Sequence, residues 1–384
     1  AFRYWDAWLT DNLANRLVHV DVTTRAIRDL TPGFAHPFTV SGEFTFDISP
    51  DGGTVAVSIN STPPPYSSQL NHDIYLVPTD GSGTLRNVTP ENPADDSEPR
   101  FSPDGKRLAF SMNNGKGFDI WVKDLERDTA SRLTFLANVN THPVWTPDGR
   151  SIVFRSANPA APGVYGVRSD GSGEAKRLVE SGDAVFPNSF SPDGKRLALT
   201  SGASSGGGAS DIYIVPVEAD PAPGGPGIRL GKAEPFLATP FIENFPAFSP
   251  DGRWLAYHSI ESGRFEVYVR PFPGPGGRWQ VSTGGGLEPR WSPDGRELLF
   301  LGLDRRVHAA SYSANGDSFS IGKQRMWAET RLRSTGNGIR YDIAPDGKRL
   351  AALVSNDEED EKLPSHLTLL LNFSDELRRK AAGR

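Results

Sequence analysis

The segment FSPDGKRLAF, residues Phe101–Phe110, decides the fold, because close copies of it recur along the chain. At its centre lies the triplet Pro-Asp-Gly, which occurs seven times, with prolines at Pro50, Pro103, Pro147, Pro192, Pro250, Pro293 and Pro345. Successive prolines are 53, 44, 45, 58, 43 and 52 residues apart. A period near 44 residues, lengthened by insertions, is typical of the four-stranded blade of a β-propeller.

Each triplet has the chemistry of a tight turn between two strands. A Ser or Thr before the proline can bond the local backbone, Pro presets φ, and Gly accepts the positive φ that ends the turn. Apolar residues alternate with polar ones on both sides, and a third strand that opens with an acid follows, as at Asp73, Asp119, Asp211 and Glu266. The alternation has period two, and no amphipathic helix is evident before the last dozen residues.

These features predict an all-β fold, a seven-bladed β-propeller that occupies residues 1–384 as one domain, with a basic C-terminal tail at 374–384. The last repeat supplies three strands, the third of them at His366–Phe373. We therefore expect the segment Ala26–Thr31 to add the fourth and close the ring through N- and C-terminal strands. This arrangement leaves two N-terminal segments, Tyr4–Thr10 and Arg16–Val22, unassigned. An eight-bladed ring therefore stays open as the alternative.

Composition excludes several classes of protein. The net charge is −6, from 41 basic and 47 acidic residues that are scattered along the chain, which argues against a nucleic-acid partner. No apolar run reaches the roughly 18 residues of a membrane span. The absence of cysteine excludes disulfides, thiolate nucleophiles and cysteine-ligated zinc. We expect a soluble monomer, and either a cytoplasmic or an extracytoplasmic location fits.

The repeats resemble the PD40 repeats of TolB-like propellers over almost the whole chain. The N-terminal stretches Arg3–Asp11 and Ile27–Gly33 are similar to propellers of prolyl-oligopeptidase-family peptidases. The later stretches Phe241–Gly286 and Leu370–Leu377 are similar to propellers fused to bacterial serine/threonine kinases. In the peptidase family a separate α/β-hydrolase domain carries the catalytic serine. We find neither that domain nor a kinase domain, so the resemblance implies a free-standing propeller or a fragment of a larger, peptidase-like parent.

One motif matches the sequence pattern around a nucleophilic serine. Gly202–Gly206 reads G-x-S-x-G around Ser204, but that motif works only on a strained turn between a strand and a helix. Here it lies in a Gly/Ser-rich loop inside a blade. No phosphate-binding loop, zinc-protease motif or EF-hand loop is present, so we expect no chemistry at Ser204.

Propeller geometry brings equivalent residues of successive inner strands together around the axis. Five residues before each triplet proline stand Thr45, Glu98, His142, Pro187, Phe245, Glu288 and Arg340. Seven before it stand Glu43, Asp96, Asn140, Val185, Glu243, Gly286 and Gly338. By the period-two rule both positions face the same side of the strand. We therefore predict a central funnel rich in carboxylates.

Two functions are compatible with this funnel. The first is a binding module for a peptide, glycan or protein partner, with the ligand-binding residues Glu43, Glu98, His142, Asn244, Glu288 and Arg340. The second is a metal-dependent hydrolase or lyase acting on an ester, lactone or phosphoester, since oxygen-rich rings with a histidine can hold Ca²⁺, Mn²⁺ or Zn²⁺. Its metal ligands would be Glu43, Glu98, His142, Glu243 and Glu288, with His142 and Glu98 as proton-transfer residues.

A structural alternative is also open for the same residues. In it the acids bond backbone amides of neighbouring strands, and Arg340 pairs with Glu43. Whether any reaction is catalysed is not decided by the sequence.

Overall fold

The structure, a computed structural model, describes residues 16–32, 46–62, 71–82, 85–135, 139–181, 184–202, 209–274, 276–316, 318–332 and 341–354. Within these ranges every regular element is a β-strand. The strands form seven antiparallel sheets, each a meander from an inner to an outer strand. Seven sheets confirm the seven-bladed propeller, and each is called a blade below, numbered by its triplet.

The first four blades contain the strands β3 to β19. Blade 1 consists of β3 (Phe46–Ile48), β4 (Thr54–Asn60), β5 (His72–Pro78) and β6 (Arg86–Asn87). Blade 2 consists of β7 (Asp96–Phe101), β8 (Arg107–Asn113), β9 (Phe118–Asp124) and β10 (Thr129–Arg132). Blade 3 consists of β11 (Asn140–Trp145), β12 (Ser151–Ser156), β13 (Gly163–Arg168) and β14 (Lys176–Glu180). Blade 4 consists of β15 (Val185–Phe190), β16 (Arg196–Gly202), β17 (Ser210–Ala219) and the two short outer strands β18 (Ile228–Leu230) and β19 (Glu234–Leu237).

The last three blades complete the ring. Blade 5 consists of β20 (Glu243–Phe248), β21 (Trp254–Ser259), β22 (Glu266–Pro271) and β23 (Trp279–Gln280). Blade 6 consists of β24 (Leu287–Trp291), β25 (Glu297–Leu301), β26 (Val307–Asn315) and β27 (Ser318–Ala328). Blade 7 consists of β28 (Tyr341–Ile343), β29 (Arg349–Val354), β1 (Arg16–Asp21) and β2 (Ile27–Asp29).

Blade 7 joins the two ends of the described chain, which confirms closure by N- and C-terminal strands. The division of strands differs from the expected one, because β1 is the third strand and pairs antiparallel with β29 from Arg16↔Val354 to Asp21↔Arg349. Leu17 and Val18 of β1 are buried in the cores on either side of this blade. That burial explains why Arg16–Asp21 is the third strand of this blade, the position predicted for His366–Phe373. The segments Tyr4–Thr10 and His366–Phe373 lie outside the described residues.

The Pro-Asp-Gly triplets form the predicted turns. In blade 2 the Ser102 hydroxyl donates to Asp104 Oδ1 at 2.5 Å, and the amide of Gly105 donates to the Ser102 carbonyl at 2.8 Å. Gly105 has φ of +70°, a conformation that costs glycine little. The triplet aspartates are therefore parts of turns, as expected.

The acid that opens a third strand fastens the outer strand of the same blade. Asp119 is fully buried, accepts a bond from the Thr134 hydroxyl at 2.8 Å and pairs with Arg132 at 2.7 Å. The Thr134 hydroxyl in turn accepts the amide of Ile120 at 3.0 Å. In blade 5, Glu266 and Ser282 repeat the arrangement. These acids hold the blade together and are not free to bind a ligand.

The inner strands of blades 2 to 6 each contain one extra residue, a β-bulge. In blade 2 the pair Ser97↔Ser111 is followed by Arg100↔Ala109, so two residues of β7 oppose one residue of β8. The same shift occurs in the other four blades. In four of the bulges a non-glycine residue has a left-handed φ between 52° and 58°: Glu98, His142, Phe245 and Glu288. Such residues are uncommon outside strained or functional segments.

Candidate functional site

The funnel lies on the face where the inner strands begin. Because the strands of a meander alternate in direction, the loops between second and third strands, and those between successive blades, also lie on this face. The Pro-Asp-Gly turns lie on the opposite face. We call the two surfaces the funnel face and the turn face.

The bulges change which side chains meet the funnel. An extra residue in one strand reverses the alternation of side chains beyond it. The residues seven before the proline are accordingly buried between blades: Asp96, Asn140, Val185, Glu243 and Gly286. The residues six before it are half-buried instead, and we call them the funnel ring: Ser97, Thr141, Phe186, Asn244 and Leu287.

This arrangement corrects the expected funnel, in which positions five and seven faced the axis together. Of the predicted ligand-binding residues, Asn244 belongs to the funnel ring. Glu243, predicted as a metal ligand, is only 2% exposed. The bulge is the physical reason, since uninterrupted alternation would have placed Glu243 in the funnel.

The structure brings Glu98 and His142 together across the junction of blades 2 and 3. Glu98 Oε2 accepts the backbone amide of His142 at 2.5 Å and the hydroxyl of Ser111 at 3.0 Å. Glu98 Oε1 lies 3.2 Å from His142 Nδ1. The Glu98 side chain is 8% exposed and that of His142 is 35% exposed. Glu98 thus bonds a neighbouring amide, as in the structural alternative, and positions an imidazole that stays open to the funnel.

His142 continues into an aromatic contact with blade 4. Its ring lies 4.9 Å from the ring of Phe186, nearly edge to face. The guanidinium of Arg155 lies 4.8 Å from the same phenyl ring. Imidazole, phenyl and guanidinium groups together form a wall that is capable of both stacking and hydrogen bonding.

At the junction of blades 5 and 6 a histidine, instead of a glutamate, accepts the amide of the left-handed residue in the next blade. Phe245 occupies the left-handed position of blade 5 and cannot accept a hydrogen bond. His258 Nδ1 accepts the amide of Glu288 at 3.1 Å instead, and its ring packs 5.2 Å from that of Phe245. His258 stands where blade 2 has Ser111. Glu288 is itself buried.

Glu243 is buried and interacts with residues close to it in the chain and in blade 4. One of its carboxylate oxygens accepts the hydroxyl of Thr239, while Oε2 is buried without a hydrogen-bond partner. Burial raises the pKa of Glu243, the Thr239 bond opposes this, and Asp211 and Glu261 add to the rise. Asp211 and Glu261 belong to blades 4 and 5, so Glu243 is separate from the Glu98–His142 pair of blades 2 and 3.

The predicted metal centre is not assembled by its described members. Within the ranges that the structure covers, no three His, Asp or Glu side chains are placed to hold a metal ion. Glu43, Arg340 and Ser204 lie outside the described residues. The metal-dependent reading therefore stays a prediction that rests on Glu43.

A second ring, missed by the sequence reasoning, lines the axis below the bulge. We call it the channel ring, and it consists of the residues three before each triplet proline: Asp47, Arg100, Val144, Ser189, Ala247, Arg290 and Asp342. All seven are half-buried, whereas the flanking residues are mostly buried. Asp47 senses the charges of Arg100, Asp342 and Arg290, which belong to three other blades. Such convergence is possible only near the axis.

The sequence contains a signal for the bulge. Proline stands four residues before the triplet proline in four of the seven repeats: Pro99, Pro143, Pro246 and Pro289. Proline cannot donate to the strand ladder, so inside a sheet it marks an edge or a bulge. Reading these prolines as bulges would have moved the predicted funnel positions by one residue.

Exposed apolar side chains surround the funnel. Six large apolar residues of the described chain are exposed, and four of them lie in loops of the funnel face, which we call the rim: Phe135, Val139, Phe241 and Leu303. Phe135 is the most exposed, at 74%. The other two, Ile27 and Met326, lie on the outermost strands of blades 7 and 6. No helix in the described ranges could cross a membrane.

Known proteins share this architecture. The family model described as the TolB beta propeller domain, PD40, matches residues 68–222. An uncharacterized protein of Agrobacterium fabrum, Atu1656, is 31% identical over 215 residues, which cover 55% of this chain and 67% of that protein. The hydrazine synthase of Kuenenia stuttgartiensis has a similar fold, with a TM-score of 0.56 at 16% identity, covering 84% of this chain and 98% of that one.

A peptidase relative matches a smaller part. The uncharacterized peptidase YuxL of Bacillus subtilis is 26% identical over 189 residues, which cover 42% of this chain but only 29% of the peptidase. This supports the expected likeness to peptidase propellers, while the likeness to kinase-associated propellers stays a prediction. With seven blades, the repeated turns and these relatives in view, the chain belongs to the TolB-type, PD40 family of β-propellers.

Proposed function

We propose that this propeller is a binding module that holds an extended segment of a peptide or protein partner across its funnel face. The observation that carries the proposal is the position of the rim, which places four of six exposed large apolar side chains around one opening. Of the other two, Ile27 opens the outermost strand of blade 7 beside the turn face, and Met326 lies near the end of the outermost strand of blade 6. Apolar side chains gathered on one face of a protein are typical of a docking surface.

The lining of the funnel is chemically suited to a peptide. Phe186 and Leu287 offer apolar contact, while Thr141 and Asn244 can bond the amides and carbonyls of an extended main chain. The His142 imidazole adds a donor or acceptor beside Phe186, 4.9 Å away. Aromatic anchors in a partly buried setting contribute most of the energy in protein interfaces. A peptide therefore fits this surface better than a glycan, which would leave the apolar rim uncovered.

Selection from a random peptide display library tests the proposal. We expect the wild-type chain to enrich peptides that bind with dissociation constants of about 10 μM or tighter. Phe135→Ser on the rim and Phe186→Ala in the funnel should each weaken the selected peptides by about tenfold or more. The matched control is Ile27→Ser, which removes an exposed apolar side chain on the outermost strand of blade 7, away from the funnel face.

Two results would count against the proposal. One is a library that yields no binder to the folded protein. The other is a set of binders that the control variant weakens as much as the funnel variants do. Circular dichroism and thermal unfolding of each variant check that it is folded before binding is measured.

A further inference from the structure

The channel ring carries an uneven distribution of charge. Its four charged members lie on blades 6, 7, 1 and 2, in the order Arg290, Asp342, Asp47, Arg100 around the ring. Shared cores join these blades in that order, so the four residues are successive neighbours. The opposite wall consists of the small or uncharged Val144, Ser189 and Ala247. One side of the axis is therefore charged, and the other is lined by small, uncharged side chains.

The four charges are held in place but do not neutralise one another directly. Asp47 Oδ2 accepts the amide of Phe101 at 2.7 Å, and Arg100 Nη1 donates to the Phe46 carbonyl at 3.2 Å. Asp342 Oδ1 accepts the amide of Ile343 at 2.9 Å. Among the described residues none of the four forms an ion pair within 4.0 Å. Arg290 Nε is buried without a hydrogen-bond partner.

The charge of Asp342 in blade 7 acts on Asp47 in blade 1. Burial raises the pKa of Asp47 to about 6, Arg100 opposes the rise, and Asp342 adds to it. Two carboxylates in one partly buried site repel each other, and a cation placed between them relieves that repulsion. The flanking guanidinium groups can in turn bond an anionic oxygen in a bidentate manner.

We propose that the axial channel binds a small zwitterion, a molecule that carries one ammonium group together with one carboxylate or phosphate group. The ammonium lies between Asp47 and Asp342, and the anionic group meets Arg290 or Arg100. The ligand occupies the space left by the small side chains of the opposite wall. This site lies roughly 7 Å below the funnel ring, two ladder positions at about 3.3 Å each, so it is distinct from the proposed peptide surface.

Isothermal titration calorimetry with small probes tests the inference. Glycine and alanine represent carboxylate zwitterions, phosphoethanolamine represents the phosphate class, and acetate and methylammonium carry one charge each. We expect at least one zwitterion to bind with a dissociation constant below about 1 mM. Each single-charge probe should bind at least tenfold more weakly, because it engages only one half of the site.

Variants of the channel ring complete the test. Asp342→Asn keeps the shape of the side chain and removes its charge, and Arg290→Leu removes the opposite charge. Each should weaken the zwitterion at least tenfold, whereas Ser189→Ala on the uncharged wall should change its affinity less than twofold. Arg100→Gln replaces Arg290→Leu if thermal unfolding shows that the latter does not fold.

Three results would overturn the inference: no zwitterion binds, a single-charge probe binds as tightly as the zwitterions, or binding survives the charge-removing variants. Binding of phosphoethanolamine alone, or of the amino acids alone, supports it and identifies the anionic group. Since none of these variants lies on the rim or in the funnel ring, failure here leaves the peptide proposal standing.

Discussion

The funnel ring and the channel ring lie on the same inner strands, yet they differ in chemistry. Above the bulge the described funnel ring has no charged member, with Phe186 and Leu287 beside Ser97, Thr141 and Asn244. Below the bulge the lining includes two aspartates and two arginines on adjacent blades. The described carboxylates that the sequence suggested for the funnel, Glu98, Glu243 and Glu288, are instead buried between blades or bonded to neighbouring amides. One inserted residue in each inner strand of blades 2 to 6 separates these environments.

The comparison teaches that a bulge decides which side chains reach the axis of a propeller. A left-handed residue at the bulge has an amide that the ladder does not use, and the previous blade must supply its acceptor. Glu98 does so for His142, and His258 does so for Glu288. The acids and histidines at these junctions therefore support the backbone first, and the side chains next to them are free for a ligand.

The largest expected effect comes from placing a carboxylate at one of two neighbouring residues, of which one is buried between blades and the other lies in the funnel. Val185→Asp puts a carboxylate into the core between blades 3 and 4, where Val185 is buried. We expect it to lower the free energy of unfolding by about 3 kcal/mol or more. Phe186→Asp, one residue later, points into the funnel and should cost less than about 1.5 kcal/mol. Urea unfolding of both variants measures the difference.

If Phe186→Asp is less stable than Val185→Asp, the period-two alternation of side chains continues through the bulge. Equal losses would also contradict the assignment of the two residues to different environments. Val185→Ala is the control for lost volume at the buried position.

A pH effect separates two equivalent buried positions, Asp96 in blade 2 and Asn140 in blade 3. Burial, with added repulsion from Asp73 and Asp95, raises the pKa of Asp96 to about 8. An acid whose folded pKa lies above its unfolded value of about 4 costs no stability below pH 4, and its cost grows as the pH rises toward 8. Asp96→Asn gives this position the amide that Asn140 already has.

The free energy of unfolding of Asp96→Asn, relative to wild type, should therefore rise between pH 5 and pH 9. We expect a rise of about 1–3 kcal/mol, measured by urea unfolding at a series of pH values. Asn140→Ala serves as the control, because it removes a buried side chain that does not titrate. A flat difference across this range would show that Asp96 is not an uncompensated buried acid.

The left-handed backbone at His142 predicts an unusual ranking of substitutions. Glycine adopts φ near 58° without strain, while valine is strongly disfavoured there. His142→Gly should be more stable than His142→Val by about 1–2 kcal/mol. At the neighbouring Thr141, in ordinary strand geometry, valine should be the more stable by about 0.5–1 kcal/mol. Thermal unfolding of the four variants gives both rankings.

If His142→Val matches or exceeds His142→Gly in stability, the left-handed bulge is absent in solution. The Thr141 pair shows whether the assay detects the ordinary preference for valine in a strand.

The smallest expected effect concerns the support of Glu98. Ser111→Ala removes the hydroxyl that donates to Glu98 Oε2 at 3.0 Å and should cost about 0.5–1.5 kcal/mol. Ser97, which pairs with Ser111 across the two strands, faces the funnel. Ser97→Ala should therefore change stability by less than about 0.5 kcal/mol. Equal effects of the two variants would contradict the different roles of these serines.

The fold could be predicted from the sequence because its main signal is repetitive and local. Seven Pro-Asp-Gly turns fix seven hairpins, and ring closure follows from the need to cover sheet edges. The assignment of strands in blade 7 was less predictable, because Arg16–Asp21 carries no triplet and its place depends on pairing with a segment over 300 residues away.

The candidate site was only partly predictable. The contact between Glu98 and His142 follows from equivalent positions in adjacent blades, and it is present. Glu243 was expected in the funnel beside Asn244 but is buried, because period-two counting fails across a bulge. The channel ring was missed because its residues differ in chemistry from blade to blade, and only their common offset of three residues connects them.

Cysteine scanning of the inner strands tests the central claim most directly, and the absence of native cysteine makes it straightforward. Single cysteines replace Asn140, Thr141 and Val144 in blade 3, and Glu243, Asn244 and Ala247 in blade 5. The rate of reaction with a small charged methanethiosulfonate reagent is then measured for each folded variant. Fast reaction at 141, 144, 244 and 247, with protection at 140 and 243, is the predicted result. Fast reaction at 140 and 243, with protection at 141 and 244, would contradict the bulge and the site built on it.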